Sequence, residues 1–301
     1  MTEPNTLADL DRQFAIPGIA TVSAGRGGLP RVVISSPHAD AEMYLHGGHV
    51  TSWTATGSRD ALYCSLNTIW QDGRAIRGGV PVCFPWFGDK ADNPSAPAHG
   101  FVRTKAWGLQ CVEHVGDDVA VSMFTESTED TRKWWRFDFR LVCRATFGEQ
   151  FKLELIVTNT DSEPFSFEEA LHAYFAVGDV EAATVRGLDG TRYIDKVDRF
   201  AEKIQSGDIR ISSETDRIYI NTQHDLELID HAAARRLMIR KENSATTVVW
   251  NPWADKSAAM TDLGPGQWKN FLCVETANIG ASSVHVGPGE SHTMAAHVIC
   301  E

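Results

Sequence analysis

The sequence predicts an all-β protein in which one large antiparallel β-sandwich follows a short N-terminal helix. Three observations predict this class. Apolar and polar residues alternate along much of the chain, helical periodicity is confined to the N-terminus, and Gly- and Pro-containing turns separate the strand-like segments. No linker or shift in composition divides the 301 residues, so residues 1–301 are expected to form a single domain.

The helical segment begins with a capping box. Thr6 and Asp9 have the spacing at which two side chains cap the first turn of a helix. Leu7, Leu10 and Phe14 follow at helical intervals. These residues therefore predict a short helix near the N-terminus.

The clearest strand pattern covers residues 137–147, where every odd-numbered residue is apolar. Gly148 and Glu149 form a turn, and the alternation resumes over residues 151–157, which predicts an antiparallel hairpin. Two further hairpins and five shorter strands are predicted. The hairpins pair 226–229 with 237–240 and 284–286 with 293–299, and the shorter strands are 31–35, 43–46, 50–54, 119–124 and 246–250.

The charge balance restricts the possible partners. With 40 acidic and 28 basic residues the formal net charge is −12. No nucleic-acid partner is expected, because a phosphate backbone requires a basic surface. An anionic substrate would require a local group of Arg or Lys side chains that reverses the field nearby.

The location expected from the sequence is the cytoplasm. Met1–Phe14 lack the basic and apolar regions of a signal peptide, and no apolar stretch reaches about 18 residues, the length of a transmembrane helix. No membrane partner is expected. The six cysteines have irregular spacing and no CxxC pair, which argues against a disulfide framework.

A histidine interrupts the apolar pattern of residues 168–177. As a strand, this segment would place its apolar side chains on one face and Glu168, His172 and Tyr174 on the other. Two interpretations of His172 are open. It is either a solvent-facing or hydrogen-bonded strand residue, or a group that transfers protons, since histidine titrates near neutral pH.

Residues 271–278 predict an apolar strand that carries one carboxylate, Glu275. If Leu272 and Val274 face the core, Glu275 faces away from it. Apolar surroundings would raise the pKa of this carboxyl unless it is paired, which suits a general base. An exposed position at a sheet edge is the alternative.

The longest irregular stretch, residues 76–107, concentrates Gly, Pro, His and Arg, as functional loops often do. Arg77 lies near its start, and Arg103 follows His99 near its end. Two arginines brought together can bind a phosphate through bidentate, charge-assisted hydrogen bonds. Surface arginines and a loop-stabilising His99 are the alternatives. In a later segment, Asp216 is either an acceptor for a sugar hydroxyl or a turn residue.

No cofactor or metal is expected. The sequence contains no Gly-rich phosphate loop of the strand–helix type, no HExxH and no GxSxG. His224 and His231 do not form a metal-ligand pattern with a neighbouring Cys or carboxylate.

Seven passages occur in a fixed order: Arg77-Gly-Gly-Val-Pro-Val-Cys-Phe-Pro-Trp-Phe-Gly, His99-Gly-Phe-Val-Arg with Trp107, Ala170-Leu-His-Ala-Tyr-Phe, Gly187-Leu-Asp-Gly with Tyr193, Asp216-Arg-Ile-Tyr, Trp250-Asn-Pro-Trp and Cys273-Val-Glu-Thr-Ala-Asn. Together they resemble the glucose-6-phosphate 1-epimerases, or hexose-6-phosphate mutarotases, a branch of the aldose 1-epimerase family. The resemblance spans residue 47 to the C-terminus.

The resemblance implies a galactose mutarotase-like sandwich that interconverts the α and β anomers of hexose 6-phosphates, chiefly glucose 6-phosphate. By motif position it implies the catalytic pair His172 and Glu275, and substrate ligands at Arg77, His99, Arg103 and Asp216. Glu275 would take the C1 hydroxyl proton, while His172, kept charged by Glu168, would protonate the ring oxygen. Members often carry Gln where this chain has Ala98, so one polar contact is absent.

Two other functions remain open: a glycoside hydrolase or lyase, and a non-catalytic sugar-phosphate sensor. Hydrolysis usually needs two carboxylates, whereas the motifs supply one His and one Glu. A sensor has no need of an acid and a base. A monomer that binds a small-molecule sugar phosphate is expected.

Overall fold

The computed structural model describes residues 6–301. Its helices are α1 (Leu7–Phe14), α2 (Glu129–Arg132) and α3 (Trp253–Ala258), with 3-10 turns at Arg26–Gly28, Val102–Thr104, Val180–Ala182, Gln267–Asn270 and Gly280–Ser282. The predicted N-terminal helix is confirmed as α1. The Asp9 amide donates to the Thr6 hydroxyl at 3.2 Å, and the Thr6 amide donates to the Asp9 carboxylate at 3.1 Å. Met1–Asn5, part of the segment expected to lack a signal peptide, lie outside the described residues.

Strands make up most of the regular structure. In chain order they are β1 (Ala20–Ala24), β2 (Pro30–Ser35), β3 (Ala39–Tyr44), β4 (His49–Ala55), β5 (Val82–Cys83), β6 (Gly108–Val115), β7 (Asp118–Glu126), β8 (Phe139–Phe147), β9 (Gln150–Asn159), β10 (Phe165–Phe167), β11 (Glu169–Leu171), β12 (Tyr174–Ala176), β13 (Ala183–Arg186), β14 (Arg192–Asp195), β15 (Ala201–Ile204), β16 (Ile209–Arg210), β17 (Thr215–Ile220), β18 (Leu226–Asp230), β19 (Arg235–Glu242), β20 (Thr246–Asn251), β21 (Phe271–Asn278), β22 (Val284–Val286) and β23 (Ser291–Cys300). The shorter predicted strands coincide with β2, β3, β4, β7 and β20, although β3 ends before the predicted boundary.

Two large antiparallel sheets dominate the described fold. The eight-stranded sheet has the order β15-β14-β17-β20-β21-β11-β5, and β12 also pairs with β21. The nine-stranded sheet has the order β16-β13-β18-β19-β23-β9-β8-β7-β6. Smaller sheets are formed by β1-β2-β3-β4 and by β10-β22. The predicted all-β sandwich class is therefore confirmed.

The two large sheets pack face to face around the hydrophobic core. Strand β8 alternates between buried and half-buried residues along its whole length, as its period of two predicts. A small internal void is lined by Leu171, Phe175 and Val274 from the eight-stranded sheet and by Leu153 and Ile239 from the nine-stranded sheet. The face of the eight-stranded sheet that carries Val274 is therefore its inner face.

One predicted hairpin is wrong. Residues 284–286 and 293–299 do form strands, β22 and β23, but β22 pairs with β10. Strand β23 lies between β19 and β9 and is hydrogen-bonded along both edges, so it has no edge left for β22. The other two hairpins are confirmed as β8–β9 and β18–β19, the first of them beginning at Phe139.

The strand predicted over residues 168–177 is interrupted. It consists of β11 and β12, which both pair with β21. Between them, the amides of His172 and Tyr174 donate to the carbonyl oxygens of Pro81 and Gly79 at 3.0 and 2.9 Å. The interruption therefore ties this part of the sheet to the stretch that begins at residue 76.

No helix in the described part of the chain is long and apolar enough to cross a lipid bilayer. All six cysteines lie within that part and are free thiols. Cys83, Cys143 and Cys273 are buried, and the other three are partly exposed.

Candidate active site

The centre of the eight-stranded sheet carries ionisable residues on its outer face. In β21, Val274 and Thr276 line the internal void, so Cys273 and Glu275 lie on the opposite face. Glu275 is nonetheless only 1% exposed. Strand β21 is paired with β20 on one side and with β11 and β12 on the other, so the alternative of an exposed carboxylate at a sheet edge is wrong.

His172 lies beside this carboxylate. Its Nε2 atom is 3.3 Å from Oε1 of Glu275. The Tyr174 ring stacks on the imidazole with centroids 5.0 Å apart, and the rings of Trp250 and His99 meet it edge-on at 5.8 and 5.6 Å. His172 is 7% exposed and does not face solvent. The aromatic rings packed against it fix the position of its imidazole.

Burial sets the charge state of the pair. It lowers the pKa of His172 well below the usual range, and the positive charges of Arg103 and Arg77 lower it further. Burial also raises the pKa of Glu275 well above the usual range, and the negative charge of Asp216 adds to this effect. Burial thus disfavours both the imidazolium and the carboxylate, which are the charged forms that the expected mechanism uses.

Several atoms of the pair lack partners within residues 6–301. Both oxygens of Glu275 and Nδ1 of His172 are buried without a hydrogen bond. A buried polar atom left unpaired typically costs about 1–3 kcal/mol, so an arrangement of this kind calls for a functional explanation. These atoms are available to the polar groups of a bound molecule.

Arg77 enters the site from a turn that requires glycine. Gly78 and Gly79 have φ angles of 111° and 61°, and a Cβ atom on Gly79 would lie 2.3 Å from a backbone oxygen. The guanidinium donates from Nε and Nη2 to Asp262 at 3.1 and 2.9 Å, and from Nη1 to the Tyr174 hydroxyl at 2.9 Å. The charge of Arg77 is thus already paired with a carboxylate.

Arg103 differs from Arg77 in this respect. Its Nη2 atom donates to the carbonyl oxygen of Ala98 at 2.8 Å, and its Nε atom is buried without a partner. Among residues 6–301, no carboxylate oxygen lies within 4.0 Å of its guanidinium. Arg77 bonds to Tyr174, whose ring stacks on His172. Arg103 bonds to Ala98, which precedes His99, and the His99 ring also meets His172. The two arginines therefore lie around one site. Arg103 is the arginine whose charge is left for an anion.

His99 lies in a loop whose backbone adopts unusual φ angles. It has a φ of 63°, and Gly100 follows with a φ of 75°. A Cβ atom on Gly100 would lie 1.8 Å from the carbonyl oxygen of Phe84, so this position requires glycine. Its Nδ1 atom is 3.5 Å from the thiol of Cys83, and its ring centroid is 4.6 Å from that of Phe87. His99 therefore holds the loop together while its ring faces His172.

Glu168 has a different role from the one expected. Its carboxylate accepts hydrogen bonds from the amides of Phe87 at 2.8 Å and Gly280 at 2.7 Å. It thus connects the loop that contains Phe87 to the segment that follows β21. Within the described structure it makes no hydrogen bond or ion pair with His172, so the expectation that Glu168 keeps His172 charged is wrong.

Asp216 reaches the same face from β17. It pairs in register with Trp250, which in turn pairs with Cys273, so all three belong to the outer face. Asp216 is buried within a strand, and its Oδ2 atom is 3.2 Å from Nζ of Lys196, so the turn-residue alternative is wrong. Sequence reasoning misses Lys196 and Asp262, because each is a single charged residue in a connection without a recognisable pattern.

Comparison with known proteins identifies the family of the chain. Residues 30–297 match the family described as aldose 1-epimerase. The chain belongs to the aldose 1-epimerase family. It is therefore an isomerase. A protein of Escherichia coli (strain K12) named "Putative glucose-6-phosphate 1-epimerase" is 37% identical to this epimerase over 250 residues, which are 83% of each chain.

Solved structures extend the comparison to the fold. The crystal structure of YeaD from Salmonella typhimurium, described as "a putative mutarotase", matches this epimerase with a TM-score of 0.89 at 31% identity over 95% of both chains. A galactose mutarotase-like protein from Lactobacillus casei ATCC 334 matches with a TM-score of 0.71 at 14% identity, over 90% of this chain and 100% of its own. The second likeness concerns the fold alone. The galactose mutarotase-like sandwich is thereby confirmed.

Proposed function

We propose that this epimerase interconverts the α and β anomers of hexose 6-phosphates, chiefly glucose 6-phosphate. One observation carries the proposal: Nε2 of His172 and Oε1 of Glu275 lie 3.3 Å apart in a buried site that also holds Arg103. The first two residues supply an acid and a base, and the third supplies a positive charge without a carboxylate partner among residues 6–301. The name of the Escherichia coli relative supports the same substrate.

Mutarotation requires one proton to leave the C1 hydroxyl and another to reach the ring oxygen. Glu275, as carboxylate, takes the hydroxyl proton while His172, as imidazolium, donates to the ring oxygen. The bond between C1 and the ring oxygen breaks and leaves an aldehyde and a C5 hydroxyl. Rotation about C1–C2 presents the other carbonyl face, and both transfers then reverse. A positioned acid or base typically contributes about 10²–10⁴-fold to such a rate.

The pair holds the same number of protons in both of its forms. A protonated Glu275 beside a neutral His172 differs from the ionised pair only in which residue carries one proton. Ring opening generates the neutral form, because the carboxylate gains a proton and the imidazolium loses one. Burial favours that neutral form and therefore favours the open-chain stage of the reaction.

The phosphate binds Arg103, whose buried Nε atom has no partner within residues 6–301. A charge-assisted hydrogen bond to phosphate is among the stronger polar contacts in proteins. Arg77 is held by Asp262 and Tyr174, so it presents its remaining N–H groups to the sugar phosphate in a fixed orientation. Asp216 accepts a sugar hydroxyl, and His99 lines the site.

The two alternative functions fit the site less well. A hydrolase of the usual kind would need a second carboxylate free to act beside Glu275, and the nearby Asp216 is paired with Lys196. A sensor would gain nothing from a buried, unpartnered carboxyl next to His172, since such a group costs stability.

The test is proton NMR exchange between the anomers of glucose 6-phosphate, beside free glucose, with wild type and Arg103→Met. We expect wild type to accelerate exchange of the phosphorylated sugar. Arg103→Met should raise KM for glucose 6-phosphate by about 10–100-fold, the equivalent of a charged hydrogen bond, and leave free glucose unaffected. Binding without accelerated exchange would favour the sensor. Equal effects on both sugars would contradict the role of Arg103.

We also infer that residues 1–301 act as one catalytic domain, because the core residues of the described chain form one contiguous cluster. We also propose that the protein is a monomer and that it lies in the cytoplasm. The free thiols of all six cysteines support a reducing compartment.

A further inference from the structure

Lys196 brings a third cation to the site. Its Nζ atom lies 3.2 Å from Oδ2 of Asp216 and 5.8 Å from the ring centroid of Phe87. The Phe87 ring in turn meets the ring of His99, which faces His172. The Lys196 side chain is 27% exposed, so it borders both the site and the solvent.

The backbone around Lys196 is fixed although the side chain reaches solvent. Its amide donates to the carbonyl oxygen of Asp216 at 2.9 Å. The carboxylate of Asp195, the preceding residue, accepts hydrogen bonds from the amides of Val197 and Asp198 at 3.1 and 3.3 Å. The base of the side chain is therefore held in place, while its four-carbon stem lets the ammonium group change partners.

The charges around the site leave a phosphate short of positive partners. A phosphate monoester carries about 1.5 to 2 negative charges near pH 7. Arg103 supplies one positive charge, whereas that of Arg77 is already paired with Asp262. Ala98 cannot supply the side-chain amide that Gln would offer. On a chain with a net charge of −12, a second local cation is needed to hold the dianion.

We propose that Lys196 is a substrate-binding residue that contacts the 6-phosphate together with Arg103 and pairs with Asp216 only when the site is empty. This inference rests on the proposed function. When the sugar phosphate binds, the ammonium group turns from the carboxylate of Asp216 to the phosphate. Asp216 is thereby released to accept a sugar hydroxyl. One exchange of partners thus provides a contact to the phosphate and a contact to a sugar hydroxyl.

The experiment compares Lys196→Met and Lys196→Arg with a matched control, Lys203→Met. Lys203 lies on the same hairpin but pairs with Asp195 and Asp198, at 2.9 and 2.7 Å. KM and kcat are measured by NMR anomer exchange for glucose 6-phosphate and free glucose, and Kd for inorganic phosphate is measured by calorimetry. We expect Lys196→Met to raise KM for glucose 6-phosphate and Kd for phosphate by about 10-fold or more, since a charged hydrogen bond is lost.

Free glucose should be unaffected, Lys196→Arg should restore most of the affinity, and Lys203→Met should behave as wild type. Unchanged phosphate affinity in Lys196→Met, or equal losses for both sugars, would overturn the proposal. Should Lys196→Met fail to fold, Lys196→Gln takes its place with the same expected results. If wild type accelerates neither sugar, the proposed function fails by itself. The calorimetric comparison with inorganic phosphate then still decides whether Lys196 binds the anion.

Discussion

The two faces of the eight-stranded sheet are built from the same strands, but burial has opposite consequences on them. On the inner face, Val274 and Phe175 contribute to the lining of the void against the nine-stranded sheet. The residues adjacent to these two in the chain, Glu275 and Tyr174, lie on the outer face with His172. Val274 and Glu275 are both 1% exposed. The difference between the faces is therefore not one of access to water.

What differs is whether the buried atoms have partners. Apolar atoms of Val274 and Phe175 need only close neighbours, so their burial stabilises the fold by roughly 1.5–3 kcal/mol per side chain. The carboxyl oxygens of Glu275 need hydrogen bonds, and residues 6–301 supply none. Equal burial thus stabilises one face and keeps the other reactive. A period of two along β21 is enough to separate these roles.

The largest expected effect comes from Glu275→Gln. Without the acid–base group, kcat for anomer exchange should fall by about 10²–10⁴-fold, while thermal stability should be unchanged or higher because a buried ionisable group is removed. NMR exchange and thermal unfolding measure the two quantities. The matched control is Glu169→Gln, since Glu169 is also buried but bonds to Asn278 and His292. If Glu169→Gln loses as much activity as Glu275→Gln, the loss does not show a catalytic role that is specific to Glu275.

The next largest effect tests the inner face. Phe175→Ala should lower the free energy of unfolding by about 3–5 kcal/mol, because it leaves a cavity between the large sheets. The protein that remains folded should keep its kcat within a few-fold of wild type. Urea unfolding combined with activity at low temperature checks both statements. Lost activity with unchanged stability would reverse the assignment of the two faces.

The smallest expected effect is a shift along the pH axis. The catalytic pair loses its mobile proton when Glu275 ionises, and the negative charge of Asp216 helps to raise the pKa of Glu275. Asp216→Asn should therefore move the alkaline limb of the kcat profile to lower pH. Asp262→Asn removes the same charge beside Arg77 and should move this limb less. A shift towards higher pH in Asp216→Asn would contradict the electrostatic description of the pair.

The sequence predicts the fold most reliably in the segments where the local pattern decides the structure. Alternation alone is sufficient for β8, β9 and the choice of faces in β21, because side-chain direction follows directly from strand geometry. The partner of β22 is not encoded locally. It depends on both edges of β23 being occupied by distant strands. The interruption at His172 likewise depends on carbonyl groups contributed by the stretch around Gly79 and Pro81.

The same distinction between local pattern and distant contacts applies to the active site. His172, Glu275, Arg77 and Arg103 are found through ordered motifs, and the structure brings them around one site. Their charges and partners are not readable from the motifs. The pairing of Arg77 with Asp262, and of Asp216 with Lys196, joins residues far apart or in connections without a pattern. The shifted pKa values of the pair depend on burial, which arises only when the loops pack over the sheet.

The proton carried by the pair of His172 and Glu275 also determines what happens between turnovers. Ring opening followed by closure returns both groups to their starting forms, whichever anomer is released. The enzyme therefore needs no proton exchange with bulk water before it accepts the next molecule, even though burial would make such exchange slow. An α sugar and a β sugar meet the same prepared site, so the direction of net conversion is decided by the ratio of their concentrations relative to the equilibrium ratio.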